Sequence, residues 1–303
     1  MQTSAHTPHP ATEQGLLNKF SVSRLDGRDA PGGDRHGARY FVLDLDHDAH
    51  AKEAVRTYID SCEDDYPLLA RDLRTLIADP IVLGEFVTMP ETTLPDGSIV
   101  PSFKVGQYLC SKRADGTPWV EVSHRDAIAA CERAGTKLLT ERQALAIAFD
   151  IAAQDINWTG GKVGEGRLYQ GLHKGNVDCA QGPDYQSDDP DERRWHQLSN
   201  GQRIFDVAGN AFAWIFDDVQ GDAEGLVARP FAPDSISLQA PHPSLEKGMG
   251  WRPTVGANWS GSALIRGGSW NSGRNAGAFY LSVDWPSNEW GCIGFRCTLP
   301  IGA

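Results

Sequence analysis

Residues 264–298 read LIRGGSWNSGRNAGAFYLSVDWPSNEWGCIGFRCT. Two kinds of residue interleave here. Gly267, Gly268, Trp270, Phe279, Gly294 and Phe295 have the character of a backbone framework, with glycines for close approach and aromatics for a core. Between them stand Tyr, Trp, Asn, Ser and Asp, the side chains that dominate antibody-like binding surfaces. Residues 278–283 and 293–298 read as strands. Alternation along the first places Tyr280, Ser282 and Asp284 on one face and turns Phe279 and Leu281 to the core. Residues 264–303 hold three basic and two acidic residues, although the whole chain carries a net charge of -12. A nearly neutral, aromatic-rich terminus is either core strand or recognition surface.

Working outward, short strands are expected at 204–207, 211–216 and 263–267. The stretch 217–261, dense in Gly, Pro and Asp, reads as an insertion between two core strands. Two helices precede this glycine-rich half. Ser123 with Asp126 opens the first and Gly135 closes it. Thr140 with Gln143 is a capping box for the second, with Ala144, Leu145, Ala148, Phe149 and Ala152 on one face. Further strands are expected at 40–43, 81–88, 103–110 and 119–122. Helical spacing runs over 51–62, with Ala54, Val55, Tyr58, Ile59 and Cys62 on one face. A second helix over 68–77 would turn Leu69, Leu73 and Leu76 inward, and residues 1–20 read as a loose tail. The expected architecture is α+β and loop-rich. A mostly helical N-terminal module spans 1–80, and a second domain spans 81–303.

Composition excludes several classes. The chain has 303 residues, 40% hydrophobic and 22% charged, which is globular usage. Its acidity argues against nucleic acid and anionic membrane as partners. No apolar run approaches the roughly 20 residues of a spanning helix, and the N-terminus lacks a signal pattern, so a cytoplasmic protein is expected. The six cysteines are then expected to be reduced, with Cys292 and Cys297 read as unconnected thiols in preference to a local bridge. Other chemistry is thinly supported. His47 and His50 after Asp44 and Asp46 read as a solvated helix start before a metal site. Residues 188–192 are acidic but lack calcium-loop spacing and read as a solvated loop. The glycines of 160–166 lack the Gly-Lys-Ser/Thr of a phosphate cradle. No metal and no cofactor is expected.

Four segments taken in order resemble the formylglycine-generating enzyme (sulfatase-modifying factor) family, covering roughly residues 85–303. They are residues 122–148, with Val122-Ser123, Cys131 and Thr140-Glu141; residues 206–214, with Gly209-Asn210 and Trp214; Arg266-Gly267-Gly268-Ser269-Trp270; and Gly294-Phe295-Arg296. The resemblance implies a fold of C-type lectin type. It does not carry the activity across. The family's copper-binding cysteines would fall at Ser272 and Gly277, and neither supplies a thiolate. Ala213 stands where the family has a glutamate.

Residues 267–296 also resemble the variable region of diversity-generating retroelement target proteins, which use the same lectin-type fold. In those proteins adenines of a template repeat are mutagenised, so Asn-type codons diversify. The resemblance implies a receptor-like protein whose variable surface, within 264–303, binds an unknown protein or other macromolecular ligand. The expected ligand-binding residues are Asn271, Ser272, Arg274, Asn275, Tyr280, Ser282, Asp284, Trp285, Asn288, Glu289 and Cys292, with no catalytic residue. Arg296 is expected to be buried against carbonyls, and Trp270, Phe279 and Phe295 to be core. The N-terminal module is expected to dock or to recruit a partner. The alternative is a divergent formylglycine-generating-type oxidase, or another enzyme, on the same scaffold.

Overall fold

The computed structural model describes residues 20–302. The expected tail at 1–20 therefore lies almost wholly outside the described residues. The chain divides into two compact units, 1–58 and 59–303. In the first, successive turns are held by local ion pairs, Arg24 with Asp26 and Arg28 with Asp34. The strand expected at 40–43 is not formed. Among the described residues no strand pairs with it, and Tyr40, Phe41 and Val42 are all exposed. Helix α1 (Ala51–Cys62) forms as expected, but only Ile59 and Cys62 of the expected face are buried, while Tyr58 is exposed.

In the second unit, α2 (Pro67–Ile77) starts with proline at its first position. Its buried residues are Ala70 and Ile77, whereas Leu69 and Leu76, expected inside, are exposed. The cause is the partner it meets. α2 packs on α3 (His124–Arg133) through a polar stripe. Arg71 pairs with Glu132 at 2.5 Å, Thr75 Oγ1 donates to Glu132, and the Arg133 guanidinium donates to the carbonyls of Leu76 and Ala78.

Sheet one orders β1 (Phe86–Met89), β4 (Phe103–Gly106), β12 (Cys297–Pro300) and β5 (Lys137–Leu138). β2 (Thr92–Thr93) and β3 (Ile99–Val100) form a hairpin, as do β6 (Trp195–Gln197) and β7 (Arg203–Phe205). Sheet two orders β10 (Gly277–Asp284), β9 (Ala263–Gly267), β8 (Phe212–Ile215) and β11 (Ile293–Phe295), with β11 parallel to β8. The insertion 217–261 does leave from β8 and return to β9. No strand forms at 119–122, because Glu121 takes a left-handed backbone, φ 56°, that breaks the extended run. The α+β, loop-rich class expected from the sequence is the one observed.

Sheet two is packed on both faces. Register pairs Arg266 with Ala213 on one side and Leu281 on the other, and Ile265 with Trp214 and Ser282. One face, with Ile215, Leu264 and Leu281, meets α4 (Glu141–Ala152) through Leu145 and Ile147. The other, with Trp214, Ile265 and Phe295, meets α3 through Ala127 and Cys131. Both helix starts are capped as the sequence requires: Ser123 accepts from Asp126 N, and Thr140 with Gln143 forms the full box.

Two buried ion pairs fasten the frame. The Arg266 guanidinium grips the Glu141 carboxylate, its Nε donating at 2.7 Å, with both side chains essentially inaccessible. Arg194 Nε donates to Asp206 at 2.9 Å, and Asn210 Nδ2 donates to the same carboxylate. Asp206 and Asn210 both have left-handed backbones, so this turn is a clamp that its own side chains maintain. Arg296 is buried and donates to the carbonyls of Gly106, Phe205 and Asp206. Burial holds its pKa below the ordinary arginine value.

Candidate functional site

Along β10 the alternation is kept. Phe279 and Leu281 are fully buried, while Tyr280, Ser282 and Asp284 are half-buried on the opposite side. The strand ends where Asp284 begins a tight turn. Its carboxylate accepts from Trp285 N at 2.7 Å and from Asn288 Nδ2 at 2.6 Å. The following loop lifts two indoles into solvent: Trp285 is 64% exposed and Trp290 54%. The backbone beneath them is held at two points. His124 N donates to Pro286 O and Glu121 N donates to Trp290 O, each at 3.0 Å. The left-handed turn at Glu121 is what aims that second N–H at the loop, so the loop backbone is fixed while its two indoles stand in solvent.

The other expected residues sit on the turn after β9. Asn271, Arg274 and Asn275 are exposed and Ser272 is half-buried. Ser269 N donates to Ser272 Oγ at 2.8 Å, and Ser269 Oγ donates to Asn271 Oδ1 at 2.9 Å. Gly273 N donates to His173 O. Glu289 is exposed and Cys292 half-buried, so none of the eleven expected residues is buried. Trp270, expected in the core, is half-buried beside Leu109, Ala180 and Ala211.

The insertion joins the two groups. Segment 249–251 runs beside 275–281, with Phe279 N donating to Met249 O, Leu281 N to Trp251 O and Trp251 N to Asn275 O, each at 2.9 Å. Its approach leaves no room for side chains. A Cβ on Gly277 would lie 2.4 Å from Gly250 N and 2.5 Å from Gly248 O, and one on Gly250 would lie 2.6 Å from Tyr280 N. The position of the second family cysteine is thus occupied by neighbouring backbone. The Trp251 ring lies 6.2 Å from Tyr280 and 6.3 Å from Trp259, and Tyr280 lies 5.2 Å from Phe212. Trp251, Trp259, Phe212 and Trp290 are absent from the residues expected on the surface. The signal that could have raised three of them is density: Trp251, Trp259, Trp285 and Trp290 fall within forty residues.

Burial pushes both the Tyr280 hydroxyl and the Cys292 thiol above their ordinary pKa values, so neither is an activated nucleophile near neutral pH. All six cysteines are free, and Cys110, Cys131 and Cys297 lie together in the core beside α3. Among the described residues no group of three or more His, Cys, Asp or Glu side chains could hold a metal ion. The acidic run 188–192 is the solvated loop expected only in part: Asp188 is exposed and Asp189 and Asp191 are half-buried. Glu192 is buried and accepts from His173 N, Lys174 N, Asn176 Nδ2 and Ser187 Oγ. A cavity of about 390 Å³, lined by Val82, Leu83, Tyr108, Leu109, Cys110 and Arg113 among others, includes none of the eleven expected residues.

No protein-family model and no curated protein matches this chain. Among solved structures it is similar to PvdO from Pseudomonas aeruginosa, at 14% identity and TM-score 0.40 over 73% of this chain and 95% of that one. It is similar to Treponema denticola variable protein 1, at 13% identity and TM-score 0.39 over 73% and 93%. It is also similar to the Major Tropism Determinant P3c variant, at 13% and 0.34 over 69% of this chain and 52% of that one. Identities and TM-scores are low throughout, and what the site does follows from its own residues.

Proposed function

We propose that this chain is a receptor-like, ligand-binding protein of the cytoplasm. Its C-terminal surface, diversified by a retroelement, recognises a protein or other macromolecular target. The observation that carries the reading is the pair of indoles, Trp285 and Trp290, more than half exposed on a backbone clipped to Glu121 and His124. Large rigid rings held out on an ordered loop are costly in solvent and suit a partner's apolar side chains. Tyr280, Ser282, Asp284 and Asn288 add hydrogen-bonding groups beside them. With little net charge in 264–303, binding relies on shape and stacking and depends weakly on salt. The N-terminal module, 1–80, serves docking or recruitment of a second partner.

Sequencing the locus tests the diversification. A near-copy of the codons for 264–303, differing mainly at adenines and lying beside a reverse transcriptase gene, is expected. Its absence overturns the retroelement reading. Binding in place of catalysis is supported by Ser272 and Gly277, the latter with no space for a thiol-bearing side chain. Incubation with copper and a cysteine peptide should leave the cysteine unchanged. Its conversion to formylglycine would establish the oxidase reading instead.

A further inference from the structure

We infer that Trp251, carried by the insertion 217–261, is a constant contact of the ligand surface, present whatever residues occupy the variable positions. The inference rests on the binding reading above. Three observations carry it. First, placement: the Trp251 backbone is hydrogen-bonded on one side to Asn275 and on the other to Leu281, so it sits between the two groups of expected contact residues. Second, presentation: its ring is 38% exposed and packs beside Tyr280 and Trp259, with Phe231 behind Trp259 at 5.3 Å. A ring backed by rings keeps its orientation when a partner arrives, which lowers the ordering cost of binding. Third, charge: the adjacent Arg252 turns its guanidinium onto the carbonyls of Leu238, Gly250 and Pro243, so its charge is engaged by backbone and not spent on the Trp251 ring.

An aromatic face of this kind takes an apolar or aromatic side chain of a protein target. Trp251 lies outside 264–303, so diversification of that segment leaves it unchanged. The surface then has two tiers. A fixed indole supplies affinity common to all variants, and the residues of β10 and its loop set which target is chosen. The closeness of 248–251 to Gly277 shows why the tier is built in: the insertion and the strand pack backbone to backbone, so the anchor cannot drift relative to Tyr280.

The test uses the full chain and a phage-displayed random-peptide library as probe. Peptides are selected on the wild-type chain and depleted on the Trp285→Ala, Trp290→Ala double variant, which leaves those that need the variable loop. Most of these should bind Trp251→Ala about tenfold or more weakly, while Val163→Ala, an exposed site elsewhere, leaves them unchanged. Trp251→Phe keeps a ring against Tyr280 and guards against misfolding. With an unaltered thermal midpoint it should still lose about threefold or more. Loop-dependent peptides that bind both Trp251 variants within about twofold of wild type would overturn this inference alone. Recovery of no loop-dependent peptide would overturn the binding reading, and this inference with it.

Discussion

Phe279 and Tyr280 are neighbours on one strand and belong to different regions of the molecule. Phe279 is fully buried, its ring 5.0 Å from Phe149 of α4, while Tyr280 lies half-open beside Trp251 and Phe212. The same division runs through the last forty residues. Arg266, Leu281, Phe295 and Arg296 are buried framework, whereas Asn271, Arg274, Trp285, Glu289 and Trp290 are exposed. Most of the residues that resemble enzyme motifs fall in the framework. Arg266 holds Glu141, Asn210 holds Asp206, and Trp214 Nε1 donates to Val122 O. Those motifs therefore report how the chain is built and leave its chemistry open. The exposed set is where substitution is cheap for folding and consequential for binding.

The largest effects should come from breaking the framework. Arg266→Ala leaves Glu141 charged and alone in the core, and Phe295→Ala opens a cavity between β11 and the Trp119 ring. Each should destabilise by about 3–5 kcal/mol in urea unfolding. A change below about 1 kcal/mol for either would show that the division is misplaced.

The framework also holds titratable groups that give the comparison a pH axis. Burial lowers His124 and His196 to about 4, each with Nδ1 unpartnered. The folded state then refuses a proton that the unfolded state accepts near 6.5. Stability should fall as pH drops from about 6.5 to 4, by at most about 3 kcal/mol per histidine. Asp217, raised to about 6 by burial and by Glu141, has the opposite sign: its contribution is lost as pH rises from about 4 to 6. His124→Gln with His196→Gln should flatten the acid limb of stability against pH, measured by unfolding at fixed pH steps. A limb unchanged by both substitutions would remove the histidines as its cause.

Smaller effects sharpen the boundary itself. Glu121 has a left-handed backbone and holds the loop through its N–H, so Glu121→Gly should keep the hydrogen bond to Trp290 and stabilise by about 1 kcal/mol. A loss of stability would mean that the Glu121 side chain does more than its backbone shows. Smallest of all, Trp285→Ala and Glu289→Ala should each shift stability by less than about 0.5 kcal/mol, read as thermal midpoints.

Much of this architecture is legible in the amino-acid sequence. The caps at Ser123 and Thr140 are local chemistry, and the alternation through Tyr280, Ser282 and Asp284 is a property of any strand. What is not legible depends on partners distant in sequence. Leu69 and Leu76 have the spacing of a buried face, but α3 offers charges there, and α2 meets them with Arg71 and Thr75 instead. Tyr40 to Val42 has strand composition, but among the described residues no strand pairs with it. Glu141 and Glu192 look like surface acids until Arg266 and the N–H groups of His173 and Lys174 reach them. Trp251 is hidden for the same reason, since only the fold brings the insertion onto β10.

The most direct test of the division is a complete substitution scan of residues 264–303, displayed on cells and scored by survival of protease. The account predicts two classes. Arg266, Gly277, Phe279, Leu281, Phe295 and Arg296 should tolerate almost no replacement. Asn271, Ser272, Arg274, Asn275, Tyr280, Ser282, Trp285, Asn288, Glu289 and Cys292 should accept most polar and aromatic residues without loss of resistance. If Tyr280, Trp285 and Cys292 prove as intolerant as Phe279 and Phe295, the surface is framework and the account is wrong.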